Sequence, residues 1–421
     1  MAKIPPFEVE QWMGKYETTP GVLNVAETCA ASISIDRLVV MNRLKTLAPP
    51  PVDFSKPMTY GAILGSDELR RNITKTYEQP GAPSPITPED IIITQGAIAA
   101  NFLLFYTFVG SGDHVICVYP TYQQLYSVPE TLGAEVSLWK LKAENGFVPD
   151  VTELEGLLKT NTKVCTHAKS TCIAGTTRLT TEQMIVINNP NNPTGAVIPK
   201  DVLVNIVELA RKRDIIVLSD EVYRPLFHSV VDDEKPPSAL SLGYDKVIVT
   251  SSMSKAWALA GIRVGWIACC DASILRQVAA ARDYTAISVS QIDDQIAAYA
   301  LSDHVRPQLL SRNIALAQTN LALLACFVEA HADVCDWVRP RAGTTAFLRF
   351  KRKNGGEPVD DVAFCRGLLE RTKVMFVPGS LCFGGGADFR GYVRIGFVCE
   401  TVVLEEALSK VSAYAKEHLA S

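Results

Sequence analysis

Residues 247–266 read VIVTSSMSKAWALAGIRVGW. The β-branched run from Val247 to Thr250 is a strand, and it runs straight into serines and Lys255. Trp257 and several alanines follow, and no carboxylate stands near Lys255 in this stretch. A desolvated lysine has a lowered pKa, and its amine becomes a nucleophile for carbonyls, as a Schiff-base enzyme requires. Arg263 follows, between Gly261 and Gly265, glycines that let backbone approach a ligand. Ser252, Ser254 and Arg263 make a candidate phosphate cup, because hydroxyls and a guanidinium bind phosphate well. Read alone, the string fits a solvated surface lysine equally well.

Three further strand ends change the weight of that reading. Asn189-Pro-Asn-Asn-Pro-Thr-Gly195 closes a strand in a turn built from Asn, Pro and Gly. Ser219-Asp-Glu-Val-Tyr223 ends another strand in two carboxylates and a phenol, where Asp220 also suits a helix N-cap. Thr94-Gln-Gly-Ala-Ile98 ends a third in glycine and opens a helix, whose unpaired N–H groups and positive dipole end favour an anion.

The ordered set resembles pyridoxal-phosphate (PLP) enzymes of fold type I, the class I/II aminotransferase superfamily, from about Tyr60 to Phe397. The resemblance implies roles at matching positions. Lys255 would carry the cofactor as a Schiff base and move protons at the substrate α-carbon. Asp220 would pair with the pyridinium nitrogen, keeping the ring an electron sink. Asn192 and Tyr223 would hydrogen-bond the ring oxygen, and Tyr122, in Tyr119-Pro-Thr-Tyr122, would stack on the ring. The phosphate would meet Ser252, Ser254, Arg263 and the backbone at Gly96, Ala97 and Ile98. Many relatives carry a polar side chain where Ile98 stands, so one side-chain contact is missing. Tyr60, in Tyr60-Gly-Ala-Ile-Leu-Gly65, would reach the neighbouring subunit's phosphate site, which implies a homodimer. Arg394, in Tyr392-Val-Arg-Ile-Gly-Phe397, would grip the substrate α-carboxylate as a bidentate pair. Gly379 fits the turn that precedes that strand. The implied substrates are an amino acid and a 2-oxo acid.

The same scaffold also hosts eliminations and ring closures, and none of these residues separates them. The N-terminal stretch Pro5–Trp12, with Asn24–Cys29, is similar to a subgroup near capreomycidine synthase. That similarity implies a basic or polar amino acid, with Glu27 facing its distal cation. The alternative for Glu27 is a surface or helix-capping carboxylate.

Around these motifs the chain alternates strand with helix. Apolar runs at Ile91–Ile93, Val115–Val118, Met184–Ile187, Ile215–Leu218 and Val247–Val249 suit strands covered on both faces. Lys200–Arg213 has helical spacing of Val202, Leu203, Ile206, Val207 and Leu209. The expectation is an α/β fold with a mainly parallel sheet flanked by helices, and ligands at the strands' carboxyl ends. The resemblance makes that sheet seven-stranded. From Ser288 the pattern becomes α+β. Helices are expected over 291–303 and 308–332, with strands over 346–350, 374–377 and 392–397. The organisation is then an N-terminal segment, 1–45, packing on a small domain at 288–421, with a large PLP-binding domain at 46–287.

Residues 164–183, VCTHAKSTCIAGTTRLTTEQ, are polar, unpatterned and Thr-rich between a helix end and a strand. Two readings stand open: a surface insertion, or a retained intron. Val164-Cys165 can be encoded by GTATGT, and Gln183 can end in CAG.

Composition excludes several classes. The 421 residues carry a net charge of −4 with no basic block, so no nucleic-acid partner is indicated. No apolar run long enough to span a membrane and no secretory signal is read. Eleven cysteines without paired metal spacing fit reduced thiols in a cytoplasmic protein and no metal site.

Overall fold

A computed structural model describes residues 4–44, 49–78, 85–159, 183–353 and 356–419. In chain order the strands are β1 (Leu23–Asn24), β2 (Ile91–Thr94), β3 (His114–Tyr119), β4 (Glu135–Lys140), β5 (Gln183–Asn188), β6 (Ile216–Asp220), β7 (Val247–Ser252) and β8 (Gly265–Cys269). They continue with β9 (Cys335–Trp337), β10 (Thr345–Phe350), β11 (Val374–Met375), β12 (Val377–Pro378) and β13 (Tyr392–Gly396).

Seven of these form the central sheet, in the order β2-β8-β7-β6-β5-β3-β4. Only β8 runs against its neighbours; the other pairings are parallel. Alternate residues of each strand feed opposite layers of core. Ile91, Ile93, Ile116, Ile185, Val217 and Val249 enter one layer. Ile92, Val115, Val186, Leu218, Ile248 and Ile267 enter the other. Each such side chain stabilises the fold by roughly 1.5–3 kcal/mol on burial. That double burial is why these strands read as continuous apolar runs rather than alternating ones.

The second sheet is antiparallel, in the order β12-β13-β10-β9. The N-terminal segment joins this half: β1 pairs in parallel with β11, Leu23 opposite Val374. The helix Glu8–Tyr16 is pinned there by Trp12, whose Nε1 donates to the Phe376 carbonyl at 2.8 Å. The run at 374–377, expected as one strand, is two. β11 bonds to β1 and β12 bonds to β13, so the chain changes partner at Phe376. The helices at 291–303 and 308–332 are realised as Gln291–Ala300 and Arg306–Ala330, while Lys200–Arg213 is a helix over that whole span.

Helix Arg306–Ala330 is long and apolar enough, by length and composition, to cross a membrane. Here Leu309, Leu321, Leu324 and Phe327 sit in the core instead. Asn313 and Asn320 are fully buried on the same helix. Asn313 donates to the Ala256 carbonyl, next to Lys255, at 2.8 Å. Asn320 donates to the carbonyls of Phe397 and Cys399, both at 2.8 Å.

The insertion or intron reading at 164–183 lies outside the described residues except for Gln183. Gln183 opens β5, and its Nε2 is 3.4 Å from the Lys159 carbonyl oxygen. The two flanks of the segment therefore lie side by side.

Asn320→Leu removes the donor from the buried Phe397 carbonyl and the half-buried Cys399 carbonyl. Each lost partner costs about 1–3 kcal/mol. We expect the urea midpoint of unfolding to fall accordingly, with an unchanged slope; an unchanged midpoint would show these bonds to be dispensable.

Candidate active site

The carboxyl ends of β5, β6 and β7 border a cavity of about 400 Å³, closed on the other side by residues of the N-terminal segment and by Arg394. Of the residues singled out in the sequence, this cavity is lined by Glu27, Ala97, Ile98, Tyr122, Asn192, Asp220, Tyr223, Ser252, Ser254, Lys255, Arg263 and Arg394. Tyr60 stands apart: it is 80% exposed and faces a different recess of its own chain.

Lys255 departs from the sequence expectation. It does have a carboxylate neighbour, because Glu27 Oε1 lies 3.9 Å from its Nζ. The Nζ donates to Thr28 Oγ1 at 2.5 Å, and Cys29 Sγ is 3.6 Å away. Burial pulls the Lys255 ammonium down, but Cys29, Tyr223 and Glu27 outweigh it and hold the group above the usual lysine value. Burial pushes the Cys29 thiol to about 11 and raises the Tyr223 phenol, so Glu27 is the charged partner at neutral pH. The lowered pKa expected from desolvation alone is therefore corrected. The reciprocal effect acts on Glu27: burial would raise its carboxyl, and attraction by Lys255, with hydrogen bonds from Thr28 and Cys29, holds it below the ordinary value.

Asp220 sits at the end of β6, 4% exposed. Its Oδ2 accepts from Asn101 Nδ2 at 3.0 Å and its Oδ1 from the Val222 N–H at 3.2 Å. Burial pushes its carboxyl up to about 6, against those hydrogen bonds. A buried carboxyl in this state suits a cationic partner.

The proposed phosphate cup is compact. Helix Gly96–Phe108 begins at the cavity, so its first N–H groups are without helical acceptors there. Ser252 and Ser254 are buried beside it, and Arg263 NH1 lies 3.5 Å from Ser254 Oγ. Gly265 is required for this approach. A Cβ on it would lie 2.4 Å from the Gly96 carbonyl carbon and 2.6 Å from the Ala97 nitrogen. Ile98 lines the cavity with an apolar side chain, 40% exposed.

Arg394, on β13, is 2% exposed. Its NH2 donates to the Ala26 carbonyl at 3.0 Å and its NH1 lies 3.4 Å from Asn192 Oδ1. Its Nε is buried and has no partner among the described residues. A buried guanidinium with a free N–H is poised for an anionic ligand. Tyr122 donates to Glu10 Oε1 at 3.0 Å and packs on Phe7 at 4.8 Å between ring centroids.

Several lining residues escaped the sequence reading: Asn101, Asn188, Thr28, Cys29, Glu10 of helix Glu8–Tyr16, and Glu17 just past its end. Val9 and Met13 lie one turn apart on helix Glu8–Tyr16, and nothing local in the sequence signals that this face closes a cavity with Lys255, more than 200 positions away.

These residues suit PLP. The cup offers N–H groups, hydroxyls and a guanidinium to a phosphate, Asp220 offers a buried carboxyl to a ring nitrogen, and Lys255 offers an amine to an aldehyde. The comparisons agree. The chain matches the family described as aminotransferase class I and II over residues 40–411. It is 29% identical to a capreomycidine synthase from Streptomyces vinaceus, over 85% of this chain and 81% of that protein. It is 28% identical to an aspartate aminotransferase from Thermotoga maritima, over 83% and 81%. A crystal structure of a PLP-dependent aminotransferase from Streptococcus suis superposes with a TM-score of 0.83 at 34% identity, covering 99% of this chain and 98% of that one. The chain thus belongs to the class I and II aminotransferase family and is a PLP-dependent enzyme.

Proposed function

We propose that this enzyme moves the amino group of an L-amino acid with a cationic side chain to a 2-oxo acid. The observation that carries the reading is the convergence of Lys255, Asp220, Arg394 and Glu27 on one cavity. When bound, PLP supplies an electron sink for the bond broken at the substrate α-carbon. Lys255 would hold the cofactor through its amine, and the same amine would move the proton at the substrate α-carbon. Asp220 would offer its buried carboxyl to the ring nitrogen and favour a proton there. Asn192 and Tyr223 would bind the ring oxygen, and Tyr122 would pack on the ring. Gly96, Ala97 and Ile98 with their backbone, together with Ser252, Ser254 and Arg263, anchor the phosphate. Arg394 takes the α-carboxylate with its unpartnered Nε.

The distal end of the substrate would meet the wall made by Glu10, Glu17 and Glu27, all of which line the cavity. Three carboxylates favour a guanidinium or ammonium over a neutral side chain. Exposed Tyr60 fits a homodimer in which each copy completes the other's phosphate site. A second reading, elimination with ring closure, is favoured by Glu27. A carboxylate 3.9 Å from the Lys255 amine is a second acid–base group, able to act on the substrate β-position. The similarity to a capreomycidine synthase points the same way.

A panel of amino acids added without any 2-oxo acid tests the reading. One cationic amino acid should convert the enzyme's visible absorbance to that of the amine form of the cofactor. Product without that conversion would favour ring closure, and no response to any amino acid would sink both readings. Lys255→Ala should lose the visible band and at least about a thousandfold in turnover, since the lysine is both anchor and base. Glu27→Gln should raise KM for the cationic amino acid about tenfold or more, with little change for a neutral one. Equal loss on both would remove Glu27 from specificity. Gly265→Ala should weaken cofactor retention at least about tenfold, because its Cβ would force the helix start away from the strand.

A further inference from the structure

Behind Asp220 lies a chain of buried polar groups that the mechanism above does not use. Asn101 is 1% exposed on helix Gly96–Phe108, among Ala100, Leu104 and Phe105. A carboxamide in such a place is unfavourable unless both its ends are bonded. Thr250 Oγ1, fully buried on β7, donates to Asn101 Oδ1 at 2.7 Å. That bond fixes which way the amide points, so Nδ2 faces Asp220 Oδ2 at 3.0 Å. Thr250 is also the register partner of Asp220 across the β6–β7 pairing. Gln124 Oε1 lies farther from the same Nδ2, at 3.4 Å, and the Gln124 amide itself donates to the Ile98 carbonyl at 2.7 Å.

We propose that Asn101, locked by Thr250, is a positioning residue that keeps the Asp220 carboxylate ionised and turned toward the cofactor's ring nitrogen. The inference rests on Asp220 being that nitrogen's partner. Hydrogen bonds donated to a carboxylate favour its charged form, and burial opposes it. Without the Asn101 donor the balance tips toward the neutral acid. A neutral Asp220 holds a proton on the ring nitrogen poorly, and the ring loses its positive charge. Other charged or titratable groups face this pair. Glu221 and Lys255 act on Asp220, while Cys29, Tyr223, Glu27 and Arg394 surround Lys255. None of them donates a hydrogen bond to the Asp220 carboxylate, so none replaces Asn101.

The readout is the pH midpoint of the visible absorbance of the PLP-loaded enzyme. Loss of the ring's positive charge makes the lysine–cofactor linkage hold its proton more strongly, so the midpoint rises. Asn101→Leu should raise it by about one unit, the scale of one charge-assisted hydrogen bond. Thr250→Val should shift it the same way by less, and Thr250→Ser, which keeps the hydroxyl, should return the wild-type value. Cofactor dissociation, followed by fluorescence, should be faster in the first two variants. If Asn101→Leu does not fold, the Thr250 pair decides alone. Loaded variants with wild-type midpoints would overturn the proposal. Asp220→Asn separates the two levels. If it leaves the midpoint unmoved, the assignment of Asp220 itself fails; if it moves the midpoint while the Asn101 and Thr250 variants do not, only the relay fails.

Discussion

The site depends on one close approach, between the N-terminal segment and β13. The Gly396 N–H donates to the Val25 carbonyl at 2.8 Å, and a Cβ at Gly396 would overlap the Glu27 carbonyl oxygen at 1.6 Å. Arg394 bonds the Ala26 carbonyl, and Thr344 Oγ1 bonds the Thr28 carbonyl at 2.6 Å. These contacts carry Glu27, Thr28 and Cys29 across to the Lys255 amine. Arg312 adds a hold farther along, through the Ala31 carbonyl at 2.6 Å. The N-terminal segment is therefore a wall of the site, its carbonyls held by the Gly396 N–H and by the side chains of Arg394, Thr344 and Arg312.

That arrangement brings Lys255, Arg394, Glu27 and Asp220 to one cavity, which Arg263, Glu10 and Glu17 also line. Arg394 and Asp220 are buried, where an isolated charge is costly and hydrogen-bonded pairing is what makes it tolerable. Lys255 has Glu27 and Thr28, Arg394 has two oxygen partners, and Asp220 has Asn101 and Val222. Two groups remain incompletely paired: the Arg394 Nε, and Asp220, whose carboxyl is pushed up to about 6. Those are the groups that suit an anionic and a cationic ligand group respectively. A site whose dipoles and charges are fixed before the ligand arrives needs little reorganisation during the reaction.

Much of the large sheet was legible because its strands are covered on both faces and so read as apolar runs. The chemistry at their carboxyl ends was legible for a related reason. Asp220 ends a strand, and Asn192 and Lys255 lie within four residues of one, where topology brings them to one edge. What sequence could not show were contacts made at long range. Glu27 and Lys255 are far apart along the chain, so Lys255 read as lacking a carboxylate and its pKa as lowered. Asn101 lay hidden inside a helix whose surroundings are apolar. The change of partner at Phe376 was equally invisible, since one continuous apolar run serves two different sheets.

The central claim is that Lys255 binds the cofactor through its amine. Borohydride reduction of the PLP-loaded enzyme, followed by proteolysis and mass spectrometry, tests this directly. The account predicts one reduced phosphopyridoxyl group per chain, on the peptide that contains Lys255. A label on another lysine, or none on an enzyme saturated with PLP, would contradict it.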